Sequence, residues 1–327
     1  MIFFVFLTSL CLAQYKNISA KIARYCRGIR KKPLDKEDLT HYNEVKVLIT
    51  KNGTVGEFMK IINIGRIIKG QDGAIFGNQL FRFEGDGTCY VYDLDSVGEL
   101  AATFTLDRAD ELVPHCNAVV FGGEYYAEED EYPLLYSNIY NNYAGKENEY
   151  CGVCCVYRLW RENGEFRTKL VQLIKIGFTD STLWRSEGVS DVRPWGNFVV
   201  DGKNKKYYAF VMRDGDKKTR YFEFDLPTLD DGEEVVLTEK DVLRYFDVPY
   251  HNFLQGACFK DGRIYEVEGF GERIHPAIRI IDIQKGEQIF HADFYEMGEP
   301  NESELIDFCG DRCIYGDNKG NLFELEF

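Results

Sequence analysis

Five times along the chain, a polar or small cluster is followed by a short apolar strand, a turn and a second apolar strand. The five segments are GQDGAIFGNQLFRF (Gly70–Phe83), HCNAVVFGG (His115–Gly123) with YPLLYSNIY after it, PWGNFVVDGKNKKYYAFVM (Pro194–Met212), FLQGACFKDGRIYEV (Phe253–Val267) and ESELIDFCGDRCIYGD (Glu302–Asp317). A third strand follows each: CYVYDL, CCVYRLW, RYFEFDL, IRIIDI and NLFELEF. Several alternate apolar and polar residues with the period of two that half-buried strands show. Gly-Glu pairs then fall at Gly98-Glu99, Gly164-Glu165, Gly232-Glu233 and Gly286-Glu287, each ahead of a further apolar strand. Glycine at such a place supplies the positive φ of a tight turn. A four-strand unit recurring every forty or so residues is the pattern of propeller blades.

The expected fold is therefore all-β: a β-propeller of about five blades, each of four antiparallel strands. The fifth unit ends at Phe327 after three strands. A fifth Gly-Glu pair near the other terminus, Gly56-Glu57, precedes FMKIINI (Phe58–Ile64). That N-terminal strand is expected to complete the C-terminal blade, which removes an open edge and ties the termini together. VKVLI (Val45–Ile49) also reads as a strand, so a fifth strand in that blade, or a partial sixth blade, is the alternative.

Residues 44–327 then form one propeller domain, and the mixed, charged residues 15–43 an N-terminal extension. The first fifteen residues, MIFFVFLTSLCLAQY, carry no charge. Their apolar run is too short to span a bilayer but suits the core of a signal peptide over residues 1–14. It lacks a positive n-region, and a buried N-terminal strand is the competing reading. Export is the expectation, to the periplasm or the cell exterior, with a cytoplasmic location as the alternative.

Composition narrows the partners. The chain has 39 basic and 54 acidic residues, a formal charge of −15. That field repels nucleic acid and anionic bilayers, so neither is an expected partner, and no membrane span is expected. The 24 Phe and 21 Tyr suit half-buried pleated surfaces. CGVCC, holding Cys151, Cys154 and Cys155, has C-x-x-C spacing but no second ligand pair for zinc. It leads straight into a strand, where a redox motif would open a helix. These read as structural thiols.

Inner strands of a propeller start near one mouth of a central channel. Aligned on Phe76, Phe121, Val200, Phe259 and Phe308, the repeats place Asp72, Asn117, Gly196, Gln255 and Glu304 at one level. Gln71, His115, Trp195, Phe253 and Glu302 lie at or beside the rim. His251 also precedes an inner strand and could approach the mouth; a lone histidine at such a place is more often a hydrogen-bonding residue than a general base. Polar groups converging from rigid strands make a binding site, so Asp72, Asn117, His115, Trp195, Phe253, Gln255 and Glu304 are the candidate ligand-binding residues. The expected ligand is a small molecule, a glycan or a peptide. No cofactor is expected; Ca²⁺ is the one ion that Asp72, Glu302 and Glu304 would suit. The Tyr-rich acidic loops within residues 125–150 are candidates for docking a protein partner. No G-x-S-x-G elbow, phosphate loop or dinucleotide fingerprint is present.

From Phe253 to Phe290 the chain reads FLQGACFKDGRIYEVEGFGERIHPAIRIIDIQKGEQIF. This stretch resembles the F-x-Q-G…LYES-G…LR-VDL-TGE pattern of the propeller-type glutaminyl cyclotransferases. The resemblance implies five blades, with Phe253 and Gln255 lining an active site. It also implies a catalytic glutamate at Glu304, although Leu305 stands where that family has glycine. The family's substrate-enclosing tryptophans have no match among Trp160, Trp184 and Trp195. The whole chain also resembles the exported bacterial propellers described as TolB-like or YVTN-like, a class that implies no reaction. Binder, cyclotransferase and protein scaffold thus all stay open.

Overall fold

A computed structural model describes residues 59–112, 114–139, 153–187, 197–251 and 253–327. The expected signal peptide, the N-terminal extension, the VKVLI strand, Trp195 and the loop at Asn141–Tyr150 lie outside the described residues.

The strands run in chain order. The first, β1 (Lys60–Arg66), precedes the blade that sequence order puts first: β2 (Gly73–Phe76), β3 (Gln79–Phe83), β4 (Thr88–Asp93) and β5 (Leu100–Thr105). Blade II holds β6 (Val119–Phe121), β7 (Leu135–Ile139), β8 (Val153–Glu162) and β9 (Glu165–Ile176). Blade III holds β10 (Phe198–Asp201), β11 (Lys206–Arg213) and β12 (Lys218–Asp225). After it comes β13 (Glu234–Leu237), and then β14 (Arg244–Pro249) as the fourth strand of blade III. Blade IV is β15 (Leu254–Lys260), β16 (Arg263–Phe270), β17 (Ile274–Asp282) and β18 (Glu287–Asp293). Blade V is β19 (Ser303–Cys309), β20 (Arg312–Asp317) and β21 (Asn321–Glu326), completed by β1. The fold is a five-bladed β-propeller with four-stranded antiparallel blades, and among the described residues there is no sixth sheet.

The ring closes as the truncated fifth repeat implies. β1 pairs antiparallel with β21, Ile61 opposite Leu325 and Ile62 opposite Glu324. The strand begins two residues later than the FMKIINI reading placed it.

Asn-Gly and Asp-Gly hairpins set the register locally. Asn163 and Gly164 both have positive φ (54° and 83°), as do Asp261 and Gly262 (49° and 76°). That is the geometry of a two-residue turn matched to strand twist.

One strand departs from the expected order. The segment after Gly232-Glu233 does not form the fourth strand of blade III. It crosses as β13 to pair parallel with β9 of blade II, Val235 opposite Ile174. β9 is long and would otherwise present a bare outer edge, so β13 covers it.

Five seams of packed side chains separate the blades, because alternate residues of one strand face opposite neighbours. On β3, Phe81 and Phe83 enter the blade I–II seam, whereas Leu80 enters the V–I seam with Leu305, Ile314 and Leu322. The II–III, III–IV and IV–V seams are built in the same way.

Candidate functional site

The five inner strands β2, β6, β10, β15 and β19 contact one another in a closed cycle. Carboxylates cross-link them. Asp72, just before β2, accepts the Val119 N–H of β6 at 3.0 Å through Oδ2. Asp307 of β19 accepts the Ile75 N–H of β2 at 2.6 Å. Backbone N–H groups that face a neighbouring blade need such partners, since buried donors are rarely left unpaired.

At the end where the inner strands begin, Asp72 and Glu304 are buried close to the axis. Gly256 of β15 is wedged between them. A Cβ there would lie 2.5 Å from the Glu304 carbonyl oxygen and 2.6 Å from Asp72 Oδ1. Gly256→Ala is therefore expected to push inner strands IV, V and I apart. Overpacking of this kind costs about 1–3 kcal/mol or more, and a chemical-denaturation curve would register it. A melting midpoint equal to wild type would show that the strands are not this close.

Arg82 of β3 supplies the countercharge. It is fully buried, and its Nη2 donates to the Gly70 carbonyl (2.6 Å) and the Asp317 carbonyl (3.2 Å). Burial raises the pKa of Asp72 and of Glu304 well above the usual carboxylate range; backbone hydrogen bonds and Arg82 oppose this at Asp72, Arg82 opposes it at Glu304, and nearby carboxylates (Asp307 for Asp72; Glu302 and Asp72 for Glu304) add to it. Burial likewise lowers Arg82, against the pull of Glu304, Asp72 and Asp317. Four polar atoms of this cluster have no hydrogen-bond partner among the described residues: Asp72 Oδ1, Glu304 Oε2, and Nε and Nη1 of Arg82.

The other expected site residues are distributed around this centre. Gln255 Nε2 donates to the Gly269 carbonyl (3.0 Å) and to Glu302 Oε1 (3.1 Å), bridging blades IV and V beside the cluster. Asn117 is buried and turns to its own blade, accepting from Asn138 Nδ2. His115 lies against Gly85 and Gln71 on the blade I side, with its pKa pushed down to about 4 by burial. Phe253 is 48% exposed and stacks on Phe270, ring centroids 4.6 Å apart. Its backbone has a positive φ of 52°.

His251 does not reach the mouth. It is fully buried between blades III and IV, where Nδ1 pairs with Glu266 and Nε2 lies 3.3 Å from Gln288. Glu266 also accepts the Tyr221 hydroxyl, and Arg279 bridges Gln288 and Glu268. This is a buried polar network in the seam, in which His251 and Glu266 are paired and Arg279 Nε is without a hydrogen-bond partner among the described residues. The chain leaving β14 turns into the seam, where the Thr219 hydroxyl accepts the His251 N–H, and His251 serves there as a hydrogen-bonding residue.

The described part of the acidic loop is tied down. Asp130 binds the Arg158 guanidinium (2.6 Å), and the Tyr132 hydroxyl donates to Gln79 while accepting from Arg161. Cys154 and Cys155 are free, buried thiols on β8, facing opposite seams. Among the described residues, no group of three or more His, Cys, Asp or Glu side chains could hold a metal ion. At the axis the positive charge between the carboxylates is that of Arg82.

Arg82, Gly256 and Asp307 were not singled out by sequence. Arg82 carries one signal in hindsight: a lone charge within LFRF, a strand otherwise apolar on both faces.

The fold and its axial polar cluster define a five-bladed propeller with a charged channel centre. No protein-family model matches the sequence, and no curated protein matches it. Solved structures similar to the chain include a glutaminyl cyclase of Myxococcus xanthus, at 12% identity and a TM-score of 0.45, over 81% of this chain and 97% of that one. A luciferin-regenerating enzyme is similar at 10% identity and a TM-score of 0.44, over 82% of this chain and 95% of that one. These are likenesses of architecture, and they are weak.

Proposed function

We propose that the protein is a ligand-binding propeller, acting outside the cytoplasm, whose ligand enters at the mouth where the inner strands begin. The ligand is a small molecule, a glycan or a peptide that reaches the Asp72–Arg82–Glu304 cluster. The observation that carries this reading is the set of four buried, unpartnered polar atoms on three neighbouring side chains. Native proteins rarely leave such atoms unpaired. A ligand with a donor and an acceptor side by side, such as an amide or a pair of hydroxyls, would satisfy acids and guanidinium together. The Gln255–Glu302 pair and the Phe253–Phe270 stack would then flank its outer part.

Thermal-shift screening with peptide and glycan libraries tests this. A hit should stabilise the wild type and lose about tenfold in affinity in Glu304→Gln, in line with the worth of about 1–1.5 kcal/mol for one buried hydrogen bond. Ligands that stabilise both proteins equally would place binding elsewhere.

A second reading is a cyclotransferase acting on N-terminal glutamine. One observation favours it: burial raises the Glu304 pKa above the usual carboxylate range, the direction a general acid needs, and Gln255 bridges to Glu302 two residues away. Loss of ammonia from a glutamine-initiated peptide, followed by mass spectrometry, decides. Glu304→Gln should slow turnover by about 10²–10⁴-fold. No turnover by the wild type leaves the binding reading alone.

A further inference from the structure

The opposite end of the channel, where the inner strands finish, holds a cavity of about 490 Å³. That volume is within the range of small-ligand sites. Its walls include Phe121, Phe259, Asp201, Lys203, Lys260 and Asp307. Phe259 is held by stacking on Tyr208, and Phe121 by edge contact with Phe81. Two aromatic rings on rigid inner strands thus supply apolar wall at fixed positions.

Of the charged groups in the wall, Lys203 is exposed on the turn after β10. Lys260 is drawn away to the Gly310 carbonyl (2.7 Å) and Asp311. Asp201 is occupied by the backbone and side-chain amides of Asn204. Asp307 accepts two backbone N–H groups, from Ile75 and Phe308, one on each oxygen. Each carboxylate oxygen can accept more than one donor, so Asp307 retains capacity on both. The charge of Asp307 reaches along the axis to Asp72, whose pKa it raises.

We propose that this cavity is a second ligand site, distinct from the entry mouth, and that it takes a small organic amine. The ammonium would meet Asp307, and the apolar body would lie along Phe121 and Phe259.

Burial pushes the Asp307 carboxyl up to about 7, despite the two backbone hydrogen bonds and the opposing charge of Lys260. The groups around it are Lys260 and Asp261 from the β15–β16 turn, Asp201 and Lys203 after β10, and Asp72 before β2. The thiols of Cys258 and Cys313 also feel its charge. An amine that stays protonated throughout should therefore bind best above neutral pH, when Asp307 is ionised.

Calorimetric titration of the full chain with phenethylamine and with neutral 2-phenylethanol tests the proposal. At about pH 8 the amine should bind about tenfold tighter than the alcohol, and the preference should vanish near pH 5.5 as Asp307 takes up its proton. Asp307→Asn should abolish the preference at about pH 8. If that variant does not fold, the wild-type comparison at the two pH values decides alone. Equal binding of amine and alcohol by the wild type, binding of neither, or a preference that survives in a folded Asp307→Asn would overturn the proposal.

Discussion

Arg82→Met should be among the most damaging single substitutions in the protein, at about 3–5 kcal/mol, the usual cost of removing one partner from a buried charge cluster. Methionine approximates the length of the side chain, so the effect would be electrostatic rather than a cavity effect. The Gly70 and Asp317 carbonyls lose their shared donor, and Asp72 and Glu304 lose the charge that offsets their burial. The sign of the pH dependence follows. Both acids already have folded pKa values above their unfolded ones, so the native state binds more protons and stability falls as pH rises. Without Arg82 those values rise further, and the fall becomes steeper and extends to higher pH. Urea unfolding near pH 5 and near pH 8 would show the variant closer to wild type at the lower value. Adding Asp72→Asn and Glu304→Gln to Arg82→Met should recover part of the loss, because the stranded charges go too. A loss below about 1 kcal/mol, the same at both pH values, would mean that Arg82 is not the countercharge.

The second large effect is expected from truncation after Gly320. This removes β21, so β1 has no partner and β20 gains a bare edge. It also takes Leu322 from the V–I seam and Phe323 and Leu325 from the IV–V seam. Each buried side chain of that size contributes about 1.5–3 kcal/mol. Together they approach the whole stability of an ordinary domain, about 5–15 kcal/mol. The truncated chain should show no cooperative thermal transition by circular dichroism and should aggregate through its exposed strand edges. A cooperative melt within a few degrees of the full chain would show that β21 is dispensable.

Much of this fold is legible in the sequence because its signals are local. Strand alternation, the Asn-Gly and Asp-Gly turns and the Gly-Glu pairs each specify structure within a few residues. The missing fourth strand of the last repeat then points to closure by the other terminus. The outer strand of blade III was not legible. Glu234–Leu237 has a strand pattern, but its partner is set by the bare edge of β9 in the neighbouring blade, which no local signal encodes.

The axial residues divide the same way. Asp72 and Glu304 follow from repeat register, since register alone fixes their level. Arg82 does not, because its role depends on charges donated by another blade. Gly256 is visible in LQGAC, but the reason for a glycine there appears only when the inner strands of blades I and V meet it. His251 and Phe253 sit at blade junctions, where backbone turns rather than strand period decide direction.

The radial arrangement, with both chain ends in one blade, underlies the channel and both proposed sites. A cysteine pair, Ile62→Cys with Glu324→Cys, tests it most directly. The two positions are directly opposed across β1 and β21, and neighbouring antiparallel residues lie at Cα separations of about 4.5–5.5 Å, within disulfide reach. After mild oxidation of the folded protein, intact mass under non-reducing conditions should show the cross-link in most molecules. The thermal midpoint should rise, since closing so long a loop is worth up to about 5 kcal/mol. Thiols that stay free in a folded, oxidised sample would contradict a ring closed by β1 and β21.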